Sequence, residues 1–152
     1  MKLDAEGVNR RLVRGLNGDI QREFQMADCC LNQARFLPAE HHPVIHHQFA
    51  ACAATALTNA SALAAEVMAL GGVPAFPAGG WGPVPREARL RRYRMESQAM
   101  LTHYQRRLRM AEALGLWRLC EVFRQIVRTK ELHLAHTGFN LAGGIAGRHL
   151  CS

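Results

Sequence analysis

Any chemistry in this chain has to come from a small set of imidazoles, carboxylates and thiols. The stretch Val127-Arg-Thr-Lys-Glu-Leu-His-Leu-Ala-His136 carries His133 and His136 three residues apart. On a helix that spacing sets both rings on one face, where His103 from another helix could join them in a non-iron metal site. His41-His-Pro-Val-Ile-His-His47 offers four more imidazoles beside Glu40. His42 with His46, or His46 and His47 with Glu40, have donor types suited to Zn or Ni. Solvated polar residues beside a turn look the same, and that is the plainer reading of both groups. Cys29, Cys30, Cys52, Cys120 and Cys151 show no C-x-x-C spacing. An odd number without a secretory leader points to free thiols, with Cys30, Cys52 and Cys120 packing as small apolar side chains. Those three are too few for a thiolate-lined copper store. No serine or cysteine has a base at motif spacing, and Gly79-Gly-Trp-Gly lacks the Lys-Ser/Thr of a phosphate-cradling loop.

A chain of 152 residues, 49% hydrophobic, favours one globular domain with a buried core. Met1 to Gly7 holds no apolar core of signal-peptide type, and no apolar run reaches the roughly 18 residues of a membrane span. A cytoplasmic location is therefore expected. The formal charge is +7, carried by arginine except at Lys2 and Lys130. Arginine suits forked pairing with carboxylate or phosphate, so protein contacts are the expected use. Arg86, Arg89, Arg91, Arg92, Arg94, Arg106, Arg107 and Arg109 spread round one helix with few aromatics, which makes a nucleic-acid partner unlikely on composition.

The elements that must position these residues are helices. Val8, Leu12, Leu16, Ile20, Phe24, Ala27 and Leu31 recur at helical spacing and predict a first helix from about Asp4 to Phe36, ended by Pro38. Gly15 and Gly18 weaken its middle by about 1 kcal/mol each. Pro43 opens a second, Ala-rich helix that should approach its neighbours closely; it runs to Leu70, before Gly71-Gly72 and Pro74. The Gly/Pro-rich stretch from Gly71 to Pro83 is too long for a tight turn, and its Phe76 and Trp81 should anchor it on the bundle. A third helix from about Pro85 to Leu114 and a fourth from Leu116 to about Phe139 flank Gly115, so they should be antiparallel neighbours. Residues 1–139 thus form the bundle and 140–152 a Gly-rich C-terminal tail.

Two long helices, a long crossover and two more helices form an all-α pattern. The chain resembles the bacterioferritin and rubrerythrin-like branch of the ferritin-like proteins. The likeness rests on Leu16-Asn-Gly-Asp-Ile-Gln-Arg-Glu-Phe-Gln-Met26, Ala69-Leu-Gly-Gly-Val-Pro-Ala75, Glu96-Ser-Gln-Ala, Tyr104-Gln-Arg-Arg-Leu, Ala111-Glu-Ala-Leu-Gly and Glu131-Leu-His. It implies a ferritin-like four-helix bundle over about Val8 to Phe139, with one long crossover between helices two and three. It also implies a place for a di-iron centre, built from a carboxylate on each of helices one and three and a Glu-x-x-His pair on each of helices two and four.

Carried onto this sequence, those positions hold Glu23 on helix one, Ala56 and Asn59 on helix two, Ser97 or its neighbour Glu96 on helix three, and Lys130 and His133 on helix four. Glu23, Glu96 and His133 are the candidate metal residues, vestigial or remodelled. A pair of hard cations needs several anionic oxygens, and alanine offers none. Lys130 adds a positive charge to the same pocket, so a Lys130–Glu23 or Lys130–Glu96 pair is expected in place of metal. The haem-binding members of the family use a methionine on helix two where Leu57 stands here. Haem is therefore not expected, and Met26 and Met68 read as core residues.

The expected function is that of a ferritin-like protein that has lost ferroxidase activity and works as a structural or regulatory subunit. It would assemble with itself, as a dimer or larger body, or with an active ferritin-like paralogue, and would need no cofactor. The alternatives are an iron or other metal-binding protein with a remodelled site, and a basic nucleic-acid-binding module.

Overall fold

The computed structural model describes residues 4–77 and 86–146, with the backbone alone at 86–90 and 137–146. Four helices follow one another: α1 (Ala5–Phe36), α2 (Pro43–Ala69), α3 (Arg86–Ala113) and α4 (Trp117–Ala146). Asp4 starts α1 by accepting the Glu6 backbone N–H at 3.2 Å, a side-chain cap for one of the amides that a helix start leaves unpaired. Leu37 leaves helical geometry ahead of Pro38, and Pro43 opens α2 at a first-turn position. Gly71 (φ 78°) and Gly115 (φ 67°) close α2 and α3 in the left-handed conformation that glycine adopts without a Cβ clash. The fourth helix continues to Ala146, past the boundary expected at Phe139. Gly138, Gly143 and Gly144 weaken a helix, but none takes the left-handed conformation that would end it.

α1 packs antiparallel on α2 and α3 antiparallel on α4, with α2–α4 and α1–α3 contacts closing the square. The long connection lets α2 and α3 run the same way, as Phe49–Tyr93 (4.9 Å) and the Cys52 Sγ–Tyr93 hydroxyl contact (3.8 Å) show. The start of that connection is tied to α1. Asn17 accepts from the Ala75 N–H at 2.8 Å and donates to the Val73 carbonyl at 3.1 Å, while Phe76 sits edge-on to Phe24 at 5.7 Å. Trp81 lies outside the described residues.

The inward row of α1 is Leu12, Leu16, Asp19, Ile20, Glu23, Met26, Ala27, Cys30, Gln33 and Ala34. Leu31, expected inside, is 53% exposed. Repeated steps of four residues drift about 40° each around a helix, which carries Phe24 to the edge and Leu31 off the face. Met68, also expected in the core, is 60% exposed, because α2 turns Ala60, Leu63, Ala64 and Val67 inward instead. Its buried alanines, Ala53, Ala56, Ala60 and Ala64, keep that face thin enough for α1 to approach closely. Tyr93, Tyr104, Phe49 and Phe123 fill the centre. Each fully buried Leu, Ile or Phe contributes roughly 1.5–3 kcal/mol.

Candidate functional site

Successive turns of α1 send Asp19, Glu23, Met26 and Cys30 into the interior. The antiparallel register with α2 is fixed near one end by His46 against Ala34 and Leu37, and near the other by Gly72 against Val13. It sets Asn59 at the level of Glu23, Ala56 at that of Met26 and Cys52 at that of Cys30. α3 adds Tyr93, Ser97 and Tyr104, and α4 adds Ile126 and Lys130.

The central feature is an ion pair. Lys130 Nζ donates to Glu23 Oε2 at 2.8 Å, with the glutamate side chain fully buried and the lysine 7% exposed. The second glutamate oxygen, Oε1, and Asn59 Nδ2 are buried without a hydrogen-bond partner among the described residues. Above the pair, the Ser97 hydroxyl donates to Met26 Sδ at 3.9 Å. Ser97 is buried, whereas Glu96 is exposed and pairs with Arg92 at 3.9 Å. The helix-three register therefore brings serine, and not Glu96, to the pocket.

His133 is half-buried and its Nε2 lies 3.2 Å from Thr55 Oγ1 on α2. Burial first, then the Lys130 and His136 charges, lower its pKa below the usual imidazole value of 6.5. The structure does not unite His133, His136 and His103. His136 is exposed, while His103 bonds Asp19 on the α1–α3 side at 2.6 Å. Nor do the N-terminal histidines of α2 converge. His46 Nδ1 meets the Ala34 and Leu37 carbonyls at 2.9 and 3.0 Å and so caps the end of α1; His41 and His47 are exposed. Among the described residues, no group of three or more His, Cys, Asp or Glu is arranged to hold a metal ion.

One turn beyond Met26, Cys30 and Cys52 face each other across α1 and α2. The hydrogen bond from Cys30 lowers the Cys52 pKa below 9.0 despite burial, with help from the Lys130 charge, while Cys30 itself is raised well above it. Burial pushes the half-buried Cys29 up to about 11. Cys30, Cys52 and Cys120 are free and buried, as small apolar side chains would be.

A second buried charge escaped the sequence reading. Asp19 is held by His103 Nε2 and by Arg107, whose Nε donates to Oδ2 at 3.0 Å and whose Nη2 stands 2.9 Å from it. The Arg107 guanidinium lies 5.2 Å from the Phe123 ring centre and packs where a Cβ on Gly15 would stand, 3.0 Å away. Asp19 lies one turn before Glu23 on the same face and Gly15 one turn before that, a placement that marks a buried charge only once α3 brings Arg107 to it. Between the two clusters, burial, followed by the Glu23 and Asp19 charges, raises the Tyr104 pKa well above 10.0.

No family model and no curated protein matches the sequence. The likeness is structural. A ferritin-like, diiron-carboxylate protein from Bacillus anthracis str. Ames superposes with a TM-score of 0.74 at 20% identity, over 93% of this chain and 99% of that one. The fold is ferritin-like. A dodecameric thioferritin, the bacterioferritin-related protein from Bacteroides fragilis, agrees with a TM-score of 0.78 at 14% identity, over 94% and 91% of the two chains. Within this ferritin-like bundle the interior donors do not suit a pair of hard cations. Ala56 and Ser97 bring no anionic oxygen, and one oxygen of Glu23 is committed to an ammonium group.

Proposed function

We propose that this chain is a ferritin-like subunit without ferroxidase activity, serving as a structural or regulatory component of an assembly with itself or with a metal-active paralogue. The observation that carries this reading is the buried Lys130–Glu23 pair at 2.8 Å. A lysine ammonium supplies the charge that a cation would otherwise bring to the glutamate, and it occupies the glutamate's reach. Removing either partner would leave the other charge uncompensated in the interior, so the pair preserves the bundle by filling its pocket.

Self-assembly is supported by the outer faces of α1 and α2, where Leu31, Phe36, Val44, Leu57 and Met68 are exposed beside the alanines of α2. Met95, Leu114, Trp117 and Leu132 on the α3–α4 side are exposed as well, so apolar area suited to a subunit contact lies on both halves of the bundle. The dodecamer named for the Bacteroides fragilis protein is consistent with such a role. A cytoplasmic setting fits as well: among the described residues no helix is long and apolar enough to cross a membrane. Native mass measurement of untagged protein, with metal analysis of the same sample, tests the proposal. A multimer with far less than one iron per chain supports it. Near-stoichiometric iron lost on Glu23→Ala and His133→Ala would instead establish a remodelled metal site.

A further inference from the structure

The face between α1 and α3 carries an open groove of about 750 Å³, lined by Arg22 from α1 and by Arg94, Gln98, Thr102, His103 and Arg106 from α3, with no carboxylate in its lining. Some arginines are paired with acids, Arg92 with Glu96, Arg118 with Glu66, and Arg124 with Glu112 and Glu121. Arg22, Arg94 and Arg106 are exposed and make no ion pair among the described residues. Sequence spacing produces this. Arg94, Gln98, Thr102 and Arg106 recur every fourth residue and wind slowly round α3, and all four side chains line the groove.

Asp19, which meets the groove wall through His103, is itself buried and paired with Arg107. It therefore does not repel an anion. Instead its 2.6 Å bond to His103 Nε2 fixes the imidazole at the groove wall, with the second ring nitrogen unpartnered among the described residues. The two outer arginines of that row stand twelve residues apart, about 18 Å along the helix, with Arg22 facing the middle. A single phosphate engages only one end of such a groove. Linked phosphates instead offer separate anionic groups to more than one arginine of the same groove, and guanidinium forks bind phosphate oxygens in pairs.

We propose that the α1–α3 groove is a binding site for a linear oligophosphate, either a free inorganic chain or the triphosphate tail of a nucleotide. The test is calorimetry on the full chain at fixed ionic strength with sodium tripolyphosphate, orthophosphate, ATP and AMP. Saturable tripolyphosphate binding at one site per chain, about tenfold or more tighter than orthophosphate, is expected. Arg22→Gln and Arg106→Gln should each weaken it about tenfold, while Arg118→Gln and Arg124→Gln, which remove the same charge from other faces, leave it unchanged. All four positions are exposed, and unchanged helical circular dichroism confirms that the variants fold. ATP binding more tightly than tripolyphosphate identifies the nucleotide as the source, and equal affinities identify the free chain. Equal losses in all four variants, or AMP matching ATP, would overturn the proposal. So would a single-stranded oligonucleotide that binds and is not displaced by tripolyphosphate, which would make the face a nucleic-acid surface.

Discussion

At the residue scale the molecule turns on two buried ionic groups that behave differently. Glu23 pairs with Lys130 and stands close enough to Tyr104 to raise that phenol's pKa; Asp19 is held by both His103 and Arg107. Lys130→Met should cost about 3–5 kcal/mol in urea unfolding, because it leaves Glu23 charged and unpaired in the core. Lys130→Met with Glu23→Leu should recover most of that loss, since an apolar pair of similar volume often matches or exceeds a buried ion pair. His133 gives a pH prediction. Its pKa is lower in the fold than the usual 6.5, so the unfolded chain binds more protons just below that value. Stability conferred by neutral His133 is complete above about pH 6.5 and declines as the pH falls through the lowered folded value. His133→Gln should flatten that part of the melting-temperature profile. If the two proteins lose stability in parallel, His133 is not the titrating group. A carboxylate partner for Lys130 was legible through the family resemblance, but Glu23 and Glu96 stood as alternatives until the α3 register turned Glu96 outward. The Asp19 cluster was not, because nothing local distinguishes a buried aspartate from a solvated one until α3 delivers Arg107.

At the scale of elements, the helices were legible from punctuation and apolar spacing, and only the end of α4 lies well beyond the expected boundary. Gly115 stops α3 because it takes a left-handed conformation; Gly143 and Gly144 lie in regular helix and stop nothing. The same contrast predicts opposite signs for two substitutions. Gly115→Ala should destabilise the bundle by about 1–2 kcal/mol, the cost of a Cβ at positive φ. Gly18 is exposed within α1, and a Cβ there meets nothing within 4 Å. Gly18→Ala should therefore stabilise by up to about 1 kcal/mol. Thermal or urea unfolding of the two variants checks both. The register of α3 was open between Glu96 and Ser97, since both fit a helical period; only packing against Met26 brings Ser97 inside.

For the whole molecule, the ferritin-like layout follows from short and long connections: one glycine turn makes α3 and α4 neighbours, and the long crossover sets α2 and α3 parallel. Assembly was less legible, because exposed apolar residues on both halves of the bundle fix neither a contact face nor a symmetry. Leu57→Asp with Leu31→Asp should shift the native mass toward monomer while leaving the helical circular dichroism unchanged. A mass unaffected by both changes would move the contact to another face.

We propose that the Lys130–Glu23 pair stands in place of a metal centre. The most direct test is oxygen-dependent Fe(II) oxidation by the untagged protein, compared with protein-free buffer and with Lys130→Glu. The account predicts no saturable iron uptake and no acceleration in either protein, because Ala56 and Asn59 supply no carboxylate even when the lysine is reversed. Saturable uptake of about two irons per chain with accelerated oxidation, abolished by Glu23→Ala, would contradict it.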